Sequence, residues 1–292
     1  MIEPGATTKT VPMRGILLMI GAVVSFTVLD GTSKYLSDSL PVIEVVWARY
    51  VFSLLIFPIF FPLASVRKAF QTKRPWVQIG RALLLVGGTA SMFFALRYLP
   101  LAETYAITFI SPFLVSIFAI IMLRETVSVR HWAVIGTGFC GALIVIQPGG
   151  DSFNWAIIFP IMMAIFWALY QVITRLISAS EPPLTTLFFT MLVGGVCLST
   201  AVPFFWVPPD MKSWGLMGFM GVIGLVGQYS LIKAYALADA SVLAPFVYTQ
   251  IIWASLIGFF VFGDVPGIST LIGVTIIIAS GLIIMKTSRD GG

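Results

Sequence analysis

Charged side chains are scarce in this 292-residue sequence. Asp, Glu, Lys and Arg together make up 10% of it, whereas hydrophobic residues make up 59%. A typical soluble domain has about 25% charged residues, and a globule of this size cannot keep so much apolar surface away from water. The composition therefore excludes a soluble protein and predicts a polytopic membrane protein, with no segment left for a soluble catalytic domain.

Histidine and cysteine are also nearly absent. The single histidine is His131, and the two cysteines, Cys140 and Cys197, lie inside apolar stretches. A thiol in such a place usually packs as a small hydrophobic group, and one histidine cannot build a metal site alone. We therefore expect no disulfide, no metal site and no cofactor. The net charge of +5 is read as membrane topology and not as nucleic-acid binding.

Ten apolar stretches are long enough to cross a bilayer, which takes about 20 residues each. The predicted spans are 14–35, 41–63, 76–97, 101–123, 129–147, 154–176, 182–206, 213–235, 240–262 and 268–286. They predict an all-α protein with ten transmembrane helices. Its predicted parts are an N-terminal tail (1–13), a first five-helix unit (14–150), a second five-helix unit (151–286) and a C-terminal tail (287–292).

The two five-helix units are similar to each other. A shift of about 140 residues places Phe26 on Trp167 and Lys34 on Arg175. Because five is an odd number, the second unit must enter the membrane from the opposite side, as in the inverted repeats of secondary transporters. Basic residues concentrate beside the spans on the side of the N-terminal tail, which predicts two cytoplasmic termini in an inner-membrane protein.

Two charges lie deep in the predicted spans, and a charge at such depth is a functional candidate by default. Asp30 lies about 8 Å from the outer end of the first span, and Arg49 about 12 Å into the second, at 1.5 Å per residue. Similar depths predict an Asp30–Arg49 pair. It is either a structural clamp between the two spans or a group that faces the cavity and handles substrate or a proton.

Other charges lie near the ends of spans. Glu44 and Glu103 are expected to be solvated at the outer interface. Arg81, Arg124 and Lys233 are expected to snorkel to the inner interface.

Aromatic and polar side chains recur in the middle of the spans, where lipid offers no hydrogen-bonding partners. In the sixth span Trp167, Tyr170 and Gln171 follow helical spacing. Either such groups bond between helices or they line a cavity for a flat ligand with polar edges. The predicted substrate-binding residues are Tyr105, Thr108, Trp167, Tyr170, Gln171, Gln228, Tyr229, Tyr248, Gln250 and Trp253.

Proline and glycine mark helix bends and close packing. Pro112 and Pro245 lie inside the fourth and ninth spans, where each removes a backbone hydrogen bond and predicts a kink. Gly218, Gly221, Gly224 and Gly227 are predicted to form a packing face. No strand precedes them and no phosphate-binding lysine follows, so a nucleotide loop is not predicted.

Several runs of residues carry a family resemblance. They are Asp30-Gly-Thr-Ser-Lys34-Tyr35-Leu36, Glu44-Val-Val-Trp-Ala-Arg49-Tyr50, Arg74-Pro-Trp76, Leu123-Arg-Glu125 and Lys233-Ala-Tyr-Ala-Leu-Ala-Asp-Ala-Ser-Val-Leu-Ala-Pro245. Together they resemble the EamA-domain branch of the drug/metabolite transporter superfamily, over about residues 13 to 286. The second unit departs from that pattern at Gly263-Asp264, where a Leu-Gly-Glu type sequence is usual.

The resemblance implies a ten-helix carrier of small metabolites whose central cavity lies between spans one to four and six to nine. It is most similar to bacterial carriers for riboflavin and for S-adenosylmethionine. Riboflavin is the favoured substrate because aromatic side chains can stack its ring. Alternatives are S-adenosylmethionine, whose sulfonium suits Asp30 and a cation–π cage, and export of amino acids or drugs.

An intramembrane enzyme or receptor-like module is the alternative of a different class. An enzyme would need a nucleophile–base pair on one face, and no such pair is found. The expected partners are a small-molecule substrate and the lipid bilayer, without nucleic acid, and a homodimer is left open.

Overall fold

A computed structural model describes residues 13–123, 136–137, 140–141, 143–144, 154–177, 180–237, 249–265, 267–276 and 278–279. Within these ranges all regular secondary structure is helical, and there is no strand. The helices are α1 (Met13–Leu36), α2 (Val42–Phe60), α3 (Leu63–Ala69), α4 (Pro75–Tyr98), α5 (Leu101–Thr108), α6 (Ser111–Leu123), α7 (Ile158–Ile177), α8 (Pro183–Ala201), α9 (Met211–Leu237) and α10 (Gln250–Ile257). A π-helical turn, Gly258–Phe262, follows α10, and residues 268–276 are helical.

Seven segments of the described chain are long and apolar enough to cross a membrane. They are Met13–Leu36, Val42–Phe60, Pro75–Tyr98, Leu101–Met122, Trp155–Thr174, Pro183–Phe204 and Met211–Leu231. These segments match seven of the ten predicted spans, and the all-helical membrane fold is confirmed. Most of the predicted span 129–147, the first part of 240–262 and the end of 268–286 fall outside the described residues.

The fourth predicted span is divided into two helices. α5 ends at Thr108 and α6 begins at Ser111, with Pro112 in the first turn of α6. Proline has no amide hydrogen to donate back to the carbonyl of Thr108, so a continuous α-helix is disfavoured there. Pro245, the other predicted kink, lies outside the described residues.

Close helix packing depends on glycine at the contact between α2 and α9. A Cβ on Gly221 would lie 2.4 Å from the Cβ of Phe52 and 2.8 Å from its carbonyl carbon. The hydroxyl of Ser53 donates to the carbonyl oxygen of Gly221 over 2.9 Å. Further along α9, a Cβ on Gly227 would lie 2.9 Å from Ser25 of α1. The predicted glycine packing face is confirmed, since small residues let membrane helices approach closely.

The helices bury their contacts within the bundle and present large apolar side chains outward. Leu29, Val45 and Phe93 are almost fully buried in the main core. In contrast, Ile59 is 80% exposed and Phe204 is 83% exposed. A soluble protein rarely exposes such residues in large patches, so this surface is suited to lipid contact.

Candidate binding site between the helices

A small cavity lies near the middle of the helices, where α2, α4, α8 and α9 meet. Its volume is about 30 Å³, which is room for about two water molecules. The lining residues are Arg49, Tyr50, Ser53, Leu85, Leu187, Thr190, Met191, Gly224, Leu225 and Gln228. In this conformation the cavity is too small for a whole metabolite.

Arg49 is the only charged residue that lines this cavity among those described. Its Nη1 donates to Oγ1 of Thr89 over 3.0 Å, and the hydroxyl of Tyr50 lies 2.9 Å from the same oxygen. The guanidinium carbon lies 5.6 Å from the centroid of the Tyr50 ring. Gly194 leaves space for that ring, since a Cβ there would lie 2.5 Å from it. Both partners of Arg49 are therefore neutral.

Asp30 lies within electrostatic range of Arg49 but forms its hydrogen bond with another residue. Its carboxylate accepts a hydrogen bond from the hydroxyl of Tyr105, and the side chains of Thr27 and Gln250 lie close to that hydroxyl. Asp30 faces α5, whereas Arg49 faces α4. The structure does not bring the predicted Asp30–Arg49 pair into direct contact, and a gating role for either residue stays a prediction.

Arg81 is fully buried, so the expectation that it snorkels was wrong. Its Nη2 donates to the carbonyl oxygen of Thr186 over 2.6 Å, to Oγ1 of Thr190 over 2.8 Å and to Oε1 of Gln78 over 3.0 Å. Its guanidinium carbon lies 5.0 Å from the Tyr170 ring centroid. The charge stays inside because α7 and α8 present polar partners to this face of α4.

Glu181 extends this network at one end of the bundle. Its carboxylate accepts hydrogen bonds from the backbone N–H of Lys73 over 2.9 Å and from Nε2 of Gln78 over 3.5 Å. Sequence reasoning missed Glu181 because it lies in a short loop, where no helical periodicity marks a buried side. We call the end of the bundle that carries this carboxylate the Glu181 end.

The opposite end is held by contacts between α1, α2 and three loops. Nζ of Lys34 lies 2.8 Å from Oδ2 of Asp264 and 3.2 Å from the carbonyl oxygen of Leu99. Glu44 accepts a hydrogen bond from the backbone N–H of Val207 over 3.1 Å. Glu44 is fully buried, so the expectation that it is solvated was wrong. We call this the Lys34 end.

The predicted aromatic residues are divided between several places. Trp167 and Tyr170 stack with centroids 5.4 Å apart and planes inclined by 21°. They lie beside Arg81 and do not line the cavity. Tyr229 packs on Phe61, 5.2 Å away, while its neighbour Gln228 lines the cavity.

The remaining predicted residues lie apart from the cavity or outside the described chain. Gln250 lies beside Tyr105, and the hydroxyl of Thr108 donates to the carbonyl oxygen of Tyr105 over 2.9 Å. Trp253 packs against the cluster of buried residues that contains Met19, and its indole N–H has no hydrogen-bonding partner within the described chain. Gln171 is half-buried. Tyr248 lies outside the described residues.

These features define a helical membrane protein with a small, mainly apolar cavity between its helices that is lined by one arginine. The chain matches the EamA-like transporter family over residues 13–147 and again over residues 154–286. It therefore belongs to the EamA-like transporter family. The family and the named relatives below are transporters and not enzymes.

Three curated relatives cover nearly the whole chain. An S-adenosylmethionine uptake transporter of Rickettsia bellii is 30% identical over 276 residues, 94% of each chain. A riboflavin transporter of Vibrio cholerae is 30% identical over 273 residues, 92% of each chain. A pseudopaline exporter of Pseudomonas aeruginosa is 26% identical over 286 residues, 94% of this chain and 97% of that one.

A solved crystal structure also has this fold. It superposes with a TM-score of 0.67 at 16% identity and covers 95% of this chain and 98% of its own. At that identity the likeness speaks for the fold alone.

Proposed function

We propose that this protein is a secondary carrier of the bacterial inner membrane that moves a small metabolite by alternating access. In this proposal, ten spans form two inverted units, residues 14–150 and 151–286, with both termini in the cytoplasm. The substrate carries a flat heterocycle, as both riboflavin and S-adenosylmethionine do.

The inverted arrangement is supported by which helices touch. α1 packs along α9 and α4 along α7, while α2 contacts both α8 and α9 and α8 contacts α4. Exchanging each helix with its counterpart in the other unit (α1 with α7, α2 with α8, α4 with α9) reproduces the same set of contacts. Such a set is expected from pseudo-two-fold symmetry, and an odd number of five spans per unit would place the axis in the membrane plane.

The observation that carries the transport proposal is the position of the cavity. Two helices of the first unit and two of the second line it, and it holds the Arg49 charge near the middle of α2. A charge placed among apolar spans is costly, about 2.5–3.5 kcal/mol on insertion scales, and usually marks a substrate or ion path. Rocking of one unit against the other would enlarge this cavity and open it to alternate sides.

The heterocyclic substrate is supported by the names of the relatives and by the stacked Trp167–Tyr170 pair next to Arg81. Aromatic faces favour flat rings with polar edges. Widening of the cavity between α4 and α8 would bring this pair toward the ligand, because Arg81 connects Tyr170 to the cavity residue Thr190.

The test is transport by the purified protein in proteoliposomes with labelled riboflavin and labelled S-adenosylmethionine, each with and without a proton gradient. We expect saturable uptake of at least one compound, reduced at least tenfold in Trp167→Ala and unchanged in Trp76→Ala, a control at an exposed position. Uptake of both compounds at the same rate as in liposomes without the protein would refute a heterocyclic substrate.

A further inference from the structure

Arg49 faces the cavity, and within the described chain its electrostatic attraction to Asp30 is not accompanied by an ion pair. Its guanidinium donates to the Thr89 hydroxyl and lies against the Tyr50 ring. Among the described residues no carboxylate forms an ion pair with it. A guanidinium in a setting of low polarity is stabilised far more by a carboxylate or phosphate than by a neutral hydroxyl, because charge-assisted hydrogen bonds are about twice as strong.

The carboxylate at similar depth in the neighbouring span is engaged elsewhere. Asp30 accepts its hydrogen bond from Tyr105 on α5, and it does not line the cavity. Asp30 attracts Arg49 through space, but among the described residues Arg49 is the only charge that lines the cavity, so the α2 side of its wall is positive.

A second positive charge lies behind the opposite wall. Arg81 holds the hydroxyl of the cavity residue Thr190 at 2.8 Å. The nearest carboxylate of its network, Glu181, is reached only through the amide of Gln78. Fields from buried charges are weakly screened, so Arg81 adds to the positive potential in the cavity. Its fixed position also orients Thr190, which makes it a positioning residue.

We propose that the ligand of this cavity carries an anionic group, a carboxylate or phosphate, and that Arg49 binds it. The proposal rests on the transport function and narrows its substrate class. S-adenosylmethionine has a carboxylate on its amino-acid end, whereas riboflavin has no anionic group. An arginine guanidinium can bind both oxygens of such a group at once. On binding the ligand, Arg49 would give up its hydrogen bond to Thr89.

Three matched ligand pairs test this, each differing by one anionic group. They are S-adenosylmethionine and its decarboxylated amine, riboflavin 5′-phosphate and riboflavin, and methionine and its decarboxylated amine. Binding of each is measured by the ligand-induced rise in unfolding temperature of the full-length protein in detergent. We expect at least a tenfold lower Kd for the anionic member of one or more pairs, and we expect Arg49→Gln to reduce this preference below threefold.

Two further variants serve as controls for the charge and for the position of Arg49. Arg49→Lys keeps the charge without the fork and should retain part of the preference, and Arg97→Gln removes an exposed arginine and should retain all of it. An equal preference in Arg49→Gln and the unaltered protein would overturn the proposal. Tighter binding of the member without the anion in every pair, or no binding of any anionic member, would do the same.

The outcomes separate this inference from the heterocyclic substrate. Arg49-dependent binding of methionine, with no binding of any adenine or flavin compound, would refute the heterocycle and support the anionic group. Equal binding of riboflavin by the unaltered protein and by Arg49→Gln, with no Arg49-dependent preference in any pair, would support the heterocycle and refute the anionic group.

Discussion

The two ends of the bundle are held by the same type of contact but in different surroundings. At the Lys34 end, Glu44 accepts a hydrogen bond from the backbone N–H of Val207, which lies just before α9. At the Glu181 end, Glu181 accepts a hydrogen bond from the backbone N–H of Lys73, which lies just before α4. α4 and α9 are counterparts in the proposed repeats. A duplicated fold thus places one carboxylate near the start of the second helix of each unit.

Both carboxylates are buried, and the difference lies in the contacts next to them. The carboxylate of Glu181 is connected through the amide of Gln78 to the hydrogen bonds of the fully buried Arg81. At the Lys34 end the nearby ion pair is partly open to solvent, with side-chain exposures of 17% for Lys34 and 28% for Asp264. Water can replace exposed contacts at little cost, whereas buried polar groups lose their only partners. The Lys34 end should therefore open more readily than the Glu181 end.

The largest effect is expected at Arg81. Replacing it with methionine leaves Gln78 Oε1 and the Thr186 carbonyl with fewer partners inside the bundle, and we expect the free energy of unfolding to fall by about 2–4 kcal/mol. Thermal unfolding in detergent measures the change. Arg97→Met, at an exposed position, serves as the control and should alter stability little. Equal stability of the two variants would contradict the buried network.

Glutamine replacements at the two carboxylates compare the ends directly. In Glu181→Gln the new NH₂ group must face another hydrogen-bond donor, either the N–H of Lys73 or Nε2 of Gln78. We therefore expect the free energy of unfolding to fall by about 1.5–3 kcal/mol. In Glu44→Gln the amide oxygen can still accept from Val207, and the new NH₂ can take the place of Oε1, which has no hydrogen-bonding partner within the described chain. We therefore expect a smaller decrease in the free energy of unfolding, below about 1 kcal/mol.

The same unfolding assay compares the two glutamine variants. A larger loss in Glu44→Gln than in Glu181→Gln would reverse the proposed difference between the ends.

The Lys34–Asp264 ion pair should contribute less. A double-mutant cycle with Lys34→Met and Asp264→Asn should give a coupling energy of about 0.2–1 kcal/mol, as for partly exposed pairs. The coupling should weaken as salt is raised from 0.01 to about 0.15 M, because the Debye length shortens to about 8 Å. A coupling that is large and insensitive to salt would mean that this end is as firmly closed as the other.

The smallest effect is expected at Asp210, which caps α9 at the Lys34 end. Oδ1 of Asp210 accepts the backbone N–H of Ser213 over 2.8 Å. Hydrogen bonds from the hydroxyl and the amide of Ser213 hold the pKa of Asp210 below its ordinary value of 3.8. The stabilisation is thus fully present above pH 3.8 and is lost as the pH falls through the lower pKa of the folded protein.

We expect Asp210→Ala to be less stable than the unaltered protein at neutral pH, and Asp210→Asn to retain most of the cap because its side-chain oxygen still accepts. Unfolding temperatures measured from pH 7 down to pH 3 should converge at the acidic end. A difference between the unaltered protein and Asp210→Ala that stays constant with pH would exclude the carboxylate as its source.

Sequence reasoning placed the helices well because apolar span length is a local property. Seven predicted spans coincide with described helices, and the glycine face of α9 follows from spacing that repeats along one helix. The contact partners of individual side chains were harder to predict. Asp30 and Arg49 have similar depth, but depth along a helix does not specify which neighbour a side chain faces, and in the structure they face α5 and α4.

The sequence by itself determined the membrane environment, seven of the span positions and the family. Composition, runs of about 20 apolar residues and ordered motifs are sufficient for these three properties. Only the tertiary structure decided that Arg81 is buried, that Arg49 faces the cavity with neutral hydrogen-bonding partners, and that Tyr170, stacked on Trp167, lies against Arg81 outside the cavity lining. Those outcomes depend on how helices distant in sequence rotate against one another, since burial of a charge is decided by the polar groups that the neighbouring helices present.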